Sequence, residues 1–317
     1  MAEPLELPRY RDLPVAPHLP PGSAWSVFGE DDQVGTLNLV TEGHVRSAAT
    51  LVKRGKVFSL NWRLDRPSPT IMGRRQLRRT QLSAIDGPAP ASDDYLDSYY
   101  PQSSSQWDAL KHCGNKAHGF YNGRSANDVL GSDESTLLGI QNWAERGVAG
   151  RFVLLDLDRG LAGLAQDESV AITPDQLDLV ATEQGARIEQ GDIVLLRFGW
   201  VRWYEQLDAA ARAELATKPM FPSPGLSPRD DTIEWLWDHG VAALGTDNPM
   251  VEVMPAAEDQ LHYRLIPLLG MAIAEMLYLE ALAEDCASTN VYTGLFVAAP
   301  LNLPGGSGSP ANALALV

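Results

Sequence analysis

Asp108 and His112, an aspartate and a histidine four positions apart, are of the types that bind a cation or move a proton. The run before Asp108 is polar, and in an extended strand successive side chains point to opposite faces. One face would then carry the Gln, Ser, Gln and Asp at positions 102, 104, 106 and 108, with Trp107 packing behind it. The same pattern also fits an exposed edge strand in which Asp108 caps a short helix.

His262 and Glu275 form a second candidate pair. Glu275 lies in the otherwise apolar segment 271–277, and a buried carboxylate is costly unless it is paired or binds a metal. Pro267 and Gly270 interrupt the sequence between the two residues and could fold His262 back towards Glu275. Alternatively, Glu275 pairs with an arginine and His262 lies on a solvated helix face.

The elements that must position these residues alternate between strands and helices, which indicates a single mixed α/β domain. A long irregular segment is predicted over 65–101, and 260–282 is predicted to be mostly helical with a break at Pro267 and Gly270. Apolar patterning and capping residues place the other elements. Strands are predicted over 56–64, 151–156, 193–198 and 241–244, and helices over 45–52 (capped by Thr41), 174–180 and 231–239.

Charge and composition exclude several function classes. The chain has 25 Lys+Arg and 41 Asp+Glu, a formal charge of −16, which argues against nucleic-acid binding. No segment has the roughly 20 apolar residues of a membrane span, and the N-terminus lacks signal-peptide features. Its 2 cysteines cannot form a disulfide framework or a thiolate zinc site. We therefore expect a cytoplasmic protein that binds neither nucleic acid nor membranes.

The two ends of the chain differ from its middle. Residues 1–22 carry six prolines and no apolar periodicity, which predicts an extended arm. We expect the domain proper over 23–300 and a C-terminal tail over 301–317. The arm and the tail are candidates for intersubunit contacts. Ordinary packing on the surface of the same chain is an equally good interpretation.

Several segments in order resemble the cyclase family of metal-dependent hydrolases, which includes bacterial kynurenine formamidases. The resemblance runs from about Trp25 to the C-terminus. It is carried by Phe28-Gly29-Glu30-Asp31-Asp32, Gly35-Thr36-Leu37-Asn38, Gln106-Trp107-Asp108 with His112, Tyr121-Asn122-Gly123, residues 191–197 with Gly199-Trp200, Gly245-Thr246-Asp247, and His262 with Glu275. The family motif His-x-Gly-Thr-His-x-Asp-x-x-x-His places its aspartate on Asp108 and its last histidine on His112. Its first two histidines fall on Gln102 and Gln106, and its glycine falls on Ser104, as in a Gln-Trp-Asp branch of the family.

The resemblance implies a swivelling β/β/α fold and a divalent metal site. His112 would be the general acid/base beside Asp108, and the metal ligands would be Gln102, Gln106, Asp108, His262 and Glu275. Amide oxygens are harder donors than imidazoles, which favours a weakly bound Mn²⁺ over Zn²⁺ or Mg²⁺. Homo-oligomers, dimers or tetramers, are expected.

A small-molecule substrate is expected in a pocket built from aromatic residues and from one histidine close to His112. The candidates are Trp25, Phe28, Trp62, Trp107, His118 and Tyr121. His118 is included because it lies so near His112 in the sequence.

The leading hypothesis is a metal-dependent hydrolase of an amide, lactone or imide-like bond, with metal-activated water and His112 as acid/base. A second is a cyclase or dehydratase of a secondary metabolite, with polyketide-type ring closure. A third is a metal-free binding or scaffold protein, which the glutamines at 102 and 106 would permit.

Overall fold

Short apolar segments form the parallel centre of a nine-stranded mixed sheet, because strands buried on both faces consist of continuous apolar runs. The computed structural model of the chain describes residues 6–85, 88–256 and 260–317. Within these, the strands in chain order are β1 (Val57–Ser59), β2 (Arg78–Ala84), β3 (Ala91–Asp97), β4 (Gln106–Asp108), β5 (Val148–Asp156), β6 (Ala171–Ile172), β7 (Ile193–Arg197), β8 (Gly225–Leu226), β9 (Ala243–Thr246), β10 (Ala272–Glu275), β11 (Thr293–Ala298), β12 (Gly308–Pro310) and β13 (Ala313–Leu316).

The large sheet has the order β1-β13-β11-β5-β7-β9-β10-β4-β12. Its four central strands β5, β7, β9 and β10 are parallel, and the strands on both sides of them are antiparallel. β2 pairs with β3 and β6 pairs with β8 in two small separate sheets. The predicted single mixed α/β domain is confirmed.

Helices cover the sheet and connect its strands. They are α1 (Glu42–Ala49), α2 (Ala126–Leu130), α3 (Gln141–Arg146), α4 (Leu157–Gly160), α5 (Pro174–Glu183), α6 (Trp200–Gln206), α7 (Ala209–Thr217), α8 (Asp230–Asp238), α9 (His262–Arg264) and α10 (Glu280–Thr289). A π-helical turn at Leu265–Leu269 follows α9 directly. The predicted cap is present, because the Thr41 side chain accepts a hydrogen bond from the backbone N–H of His44. Among the described residues, no helix has the length and apolar character needed to cross a bilayer.

Segment 260–282 differs from its helical prediction in a way that matters for the site. Only His262–Arg264 and the turn after it are helical, and Ala272–Glu275 is the buried strand β10 between β9 and β4. The hydrophobic periodicity of a short apolar run does not distinguish a buried strand from a buried helix, which explains the incorrect helical prediction.

The described residues of the N-terminal arm and the C-terminal segment pack against the rest of the domain. Trp237 Nε1 in α8 donates to Pro8 O at 2.8 Å, and Tyr10 N donates to Asp238 Oδ1 at 2.7 Å. Residues 1–5 of the predicted arm lie outside the described residues. Segment 301–317, expected as a tail, instead supplies β12 and β13 to the large sheet. The small alanines 313 and 315 are buried there, which lets β13 lie close against its neighbours.

The predicted irregular segment 65–101 contains an antiparallel hairpin, β2–β3, from Arg78 to Asp97. Nearly all of its side chains are exposed, because neither face packs on the large sheet. Positions 86–87 of this segment lie outside the described residues.

Candidate metal centre and active site

The pairing of β10 with β4 brings the first candidate ligands together. Glu275 lies directly opposite Gln106 in the antiparallel register, and Asp108 lies two residues further along the same face of β4. Gln106 Nε2 donates to Glu275 Oε2 at 2.8 Å across the strands. Trp107 points to the other face, as the alternation of the sequence predicted, and packs edge-to-face on Trp143.

The segment that follows β9 supplies further groups at the carboxyl ends of the parallel strands, where open α/β sheets bind ligands. Val251 N donates to Glu275 Oε1 at 2.8 Å. Glu252 Oε2 accepts from His262 Nδ1 at 2.6 Å. These contacts fix both the Glu275 carboxylate and the plane of the His262 ring.

Asp108, His262 and Glu275 converge on one point. His262 Nε2 lies 3.2 Å from Glu275 Oε1 and 3.6 Å from Asp108 Oδ2, and the ligand atoms of the three lie within 4.8 Å of one another. All three residues are buried. Sequence reasoning placed the two candidate pairs in one site, and the structure brings them together.

Two buried oxygens at this point lack a hydrogen-bond partner among the described residues, namely Asp108 Oδ2 and Gln106 Oε1. Buried polar atoms are nearly always hydrogen-bonded, so such orphans call for an explanation. Two carboxylates, one imidazole and an amide oxygen are a donor set that fits a divalent cation.

The pKa values at the centre follow from burial and from the density of charge. Burial opposes a charge on His262, but the carboxylates of Glu252 and Glu275 raise its pKa well above the ordinary value. Burial raises the pKa of Glu275. Burial also disfavours the Asp108 carboxylate, but His112 and His262 outweigh it and hold the pKa of Asp108 below its usual range. The centre therefore has a strong affinity for positive charge.

His112 lies at the edge of the centre. Its Nε2 is 3.8 Å from Asp108 Oδ1, and its side chain is 26% exposed, so it can exchange protons with a bound molecule or with solvent. The Gln102 amide lies between the two residues. Its Nε2 donates to Asp108 Oδ1 at 2.5 Å and to His112 Nδ1 at 2.8 Å. Gln102 thus orients the His112 ring.

A cavity of about 260 Å³ opens next to His112 and His262. Its lining combines side chains of the candidate metal centre with apolar side chains, mainly methionines. The lining residues are Met72, Arg74, Gln106, His112, Cys113, Met220, Pro249, Met250, Gln260, His262, Tyr263 and Glu275. Burial raises the pKa of the Cys113 thiol to about 12, so it remains protonated at neutral pH.

None of the six residues predicted to form the substrate pocket is among the residues that line this cavity. Trp107 is buried in the core on the opposite face of β4. Trp62 packs edge-to-face on Tyr204 and donates from Nε1 to Glu205 Oε1, and Phe28 packs on Trp237. His118 is exposed, in a turn held by Asn115.

Trp25 and Tyr121 instead support the turn that follows His262. Trp25 Nε1 donates to Pro267 O at 2.7 Å. The Tyr121 ring lies against Gly270, whose φ of +66° ends the turn and where a Cβ would lie 2.6 Å from the ring. These aromatic side chains lie in the core because large apolar surfaces are buried wherever packing allows.

Sequence reasoning missed Glu252, Arg74 and the methionines of the cavity. A signal for Glu252 existed, since it is a lone carboxylate in the run Met250-Val251-Glu252-Val253-Met254, the same pattern that identified Glu275. The methionines gave no such signal in the sequence, because methionine is a common residue of hydrophobic cores.

The comparisons with known proteins agree with this geometry. The sequence profile of the cyclase family matches residues 62–253. A solved structure described as a novel cyclase is 32% identical and superposes with a TM-score of 0.85, covering 93% of this chain and 99% of that one. The chain belongs to the cyclase family. It is therefore an enzyme by family.

Two further structures share the fold. Isatin hydrolase A from Labrenzia aggregata is 23% identical with a TM-score of 0.59, covering 87% of this chain and 96% of its own. Isatin hydrolase A from Ralstonia solanacearum is 20% identical with a TM-score of 0.56, covering 88% and 98%. No curated protein matches the chain.

The family match includes Gln106, Asp108, His112 and Glu252 but ends before His262 and Glu275. The position of these last two residues in the site therefore rests on the fold, through the register of β10 with β4 and the contact of His262 with Glu252.

Proposed function

We propose that this member of the cyclase family is a divalent-metal-dependent hydrolase that cleaves an amide, lactone or imide-like bond in a small molecule. The observation that carries the proposal is the convergence of Asp108, His262 and Glu275 beside a cavity that His112 also lines. The two isatin hydrolases that share the fold make hydrolysis the first reaction to assay.

Asp108, His262 and Glu275 would hold the metal, and Gln106 would add its orphan oxygen Oε1. This set contains one imidazole among oxygen donors, which favours Mn²⁺ over Zn²⁺. Gln102 was predicted as a further ligand. Because its amide N–H groups already donate to Asp108 and His112, we assign it the orientation of these two residues instead.

The bound metal would supply a Lewis acid that polarises the scissile carbonyl and lowers the pKa of a water. His112 moves the proton, since of the two histidines that line the cavity it is the partly exposed one. Gln102 keeps the ring in place for this transfer. The methionine wall excludes solvent from the apolar part of the substrate.

The family name makes ring closure the second candidate, because a Lewis acid beside a base serves dehydration as well as hydrolysis. A panel of formamides, lactones and imides incubated with enzyme and Mn²⁺ and read by mass spectrometry separates the two. Lactones or imides that gain one water on ring opening, or formamides that split into formate and an amine lighter than the substrate by CO, support the hydrolase. Products lighter by one water support the cyclase. Enzyme that converts no panel member and shows no thermal shift with Mn²⁺, Zn²⁺ or Mg²⁺ would contradict both and favour a scaffold.

We also propose that the chain works as a homo-oligomer through the hairpin β2–β3. The hairpin exposes Leu82 by 53%, Ile85 by 77% and Tyr95 by 49%, and an isolated two-stranded hairpin is at best marginally stable in water. β2 carries Arg78 and Arg79, whereas β3 carries Asp93, Asp94 and Asp97. Arg79 already pairs with Asp94 within the hairpin, so the contact with a second copy of the chain is proposed through the exposed apolar side chains.

A further inference from the structure

Arg74 lines the cavity together with His112 and His262, yet it forms no ion pair among the described residues. Two arginines near it in the chain do have acidic partners. Arg63 pairs with Asp65, and Arg79 pairs with Asp94. In a chain with 41 acidic and 25 basic residues, a half-buried guanidinium without a carboxylate partner in the described part of the chain is suited to bind an anion from outside.

The backbone around Arg74 is anchored, so its side chain is not on a free loop. Arg74 O accepts from Thr70 Oγ1 at 2.6 Å, and Arg74 N donates to Ile71 O at 3.4 Å. Ile71 is 2% exposed and belongs to the core cluster that contains Met250. A recognition group held on a fixed backbone loses less entropy when it binds.

The other residues that line the cavity restrict the size and polarity of the substrate. Met72, Met220 and Met250 present apolar, polarisable side chains, which adapt to flat or branched apolar groups. A volume of about 260 Å³ is small, which excludes a bulky ligand. The carboxylates of Asp108, Glu252 and Glu275 at the centre would repel an anion, so an anionic substrate requires a cation such as Arg74 in the same cavity.

We propose that Arg74 is the specificity-determining residue of this enzyme and binds a carboxylate of the substrate. The substrate class is then a small, largely apolar amide, lactone or imide that carries one carboxylate. The inference rests on the proposed function, because the reactive bond must lie against His112 and the metal centre while Arg74 holds the acid group. The planar guanidinium suits a carboxylate, with which it forms two parallel hydrogen bonds.

The test compares two probes of equal size, 4-formamidobenzoate and its uncharged analogue 4-formamidobenzamide. Binding of each is measured by calorimetry with and without Mn²⁺, for wild type and for the variants Arg74→Gln, Arg74→Lys and Arg75→Gln. Arg75 is the matched control, since it is the next residue, is exposed and does not line the cavity. Unchanged thermal unfolding of each variant confirms that it folds.

We expect wild type and Arg75→Gln to bind the carboxylate probe about 10- to 100-fold more tightly than the amide, and Arg74→Gln to lose this preference. Arg74→Lys should keep only part of it, because an ammonium cannot form the two parallel bonds. The preference should weaken as salt is raised. Equal affinity for the two probes in wild type, or a preference retained in Arg74→Gln, would overturn the proposal.

Hydrolysis of the same probes with Mn²⁺ separates this inference from the proposed function. If Arg74-dependent binding occurs but no hydrolase substrate is found in the wider panel, the carboxylate site stands and the hydrolase is contradicted. If both probes are hydrolysed with the same KM in wild type and in Arg74→Gln, the hydrolase stands and the assignment of Arg74 is wrong.

Discussion

His262 donates a hydrogen bond from Nδ1 to Glu252 Oε2 at 2.6 Å, which directs its other nitrogen, Nε2, towards Glu275 and Asp108. A carboxylate on the far side of a histidine fixes the ring orientation and increases the basicity of the nitrogen that faces a metal. Glu252 therefore belongs to the candidate metal centre although it contributes no atom to the cluster itself.

This relationship predicts the effect of Glu252→Gln. We expect the dissociation constant for Mn²⁺ to rise about 10- to 100-fold, because the amide holds the ring less firmly and does not increase its basicity. Calorimetric titration with MnCl₂ measures the change. Glu168→Gln makes the same substitution at an exposed position and should bind Mn²⁺ like wild type. Equal Mn²⁺ affinity in Glu252→Gln and wild type would contradict the role of Glu252.

The position of His112 predicts that proton transfer and metal binding can be separated. His112→Ala should lower kcat about 10²- to 10⁴-fold on any substrate found in the panel, with little change in Mn²⁺ affinity. His118→Ala is the control, since His118 is exposed and does not line the cavity. The assignment fails if His112→Ala retains wild-type kcat, or if His118→Ala loses as much activity as His112→Ala.

An ion-pair cluster away from the site predicts a pH dependence of stability. Asp285 in α10 accepts from Arg54 Nη1 at 2.9 Å and from Lys56 Nζ at 2.8 Å. The hydrogen bond from Arg54 lowers the pKa of Asp285 to about 2. Because the folded-state pKa lies below the unfolded value, the stabilisation is present above about pH 4 and is lost as the pH falls through 2.

Asp285→Asn should therefore lower the free energy of unfolding at pH 7 by a small amount, as expected for partly exposed partners. The difference from wild type should shrink between pH 4 and pH 2. Urea unfolding at several pH values measures it. Asp31→Asn, which removes a fully exposed partner of Arg124, should change stability less. A difference that stays constant down to pH 2 would exclude this origin.

The exposed hairpin predicts that self-association depends on β2–β3. Sedimentation equilibrium should show a dimer or larger species for wild type, and Leu82→Ser should shift it towards the monomer, since it removes apolar surface from the proposed contact. Leu179→Ser on α5 is the matched control, because Leu179 is exposed by 48% and lies outside the hairpin. A monomeric wild type at micromolar concentration would rule out the hairpin contact.

Much of the site was predictable because its polar and charged residues depart from the local pattern of the sequence around them. Asp108 ends a polar run with two-residue alternation, and Glu275 is a charge in an apolar segment. Both features have a physical cost that a ligand can offset, so they mark function. The register that places Glu275 opposite Gln106 depends on pairing between distant segments, which no local pattern encodes.

The lining of the cavity beside the candidate metal centre was not predictable in the same way. Residue type alone favoured Trp25, Trp107 and Tyr121, but large aromatic side chains are also the best core formers, and all three are buried. Met72 and Met250, at distant positions in the chain, line the cavity instead. Only the tertiary fold decides which of two apolar sets is buried and which faces a ligand.

Anomalous diffraction at the manganese edge, from crystals grown with MnCl₂, tests the central claim most directly. The account predicts one strong peak bounded by Asp108 Oδ2, His262 Nε2 and Glu275 Oε1, with Gln106 Oε1 facing it, and the loss of that peak in Asp108→Asn. An empty centre in wild-type crystals at millimolar Mn²⁺, with the three side chains placed as they are here, would contradict it.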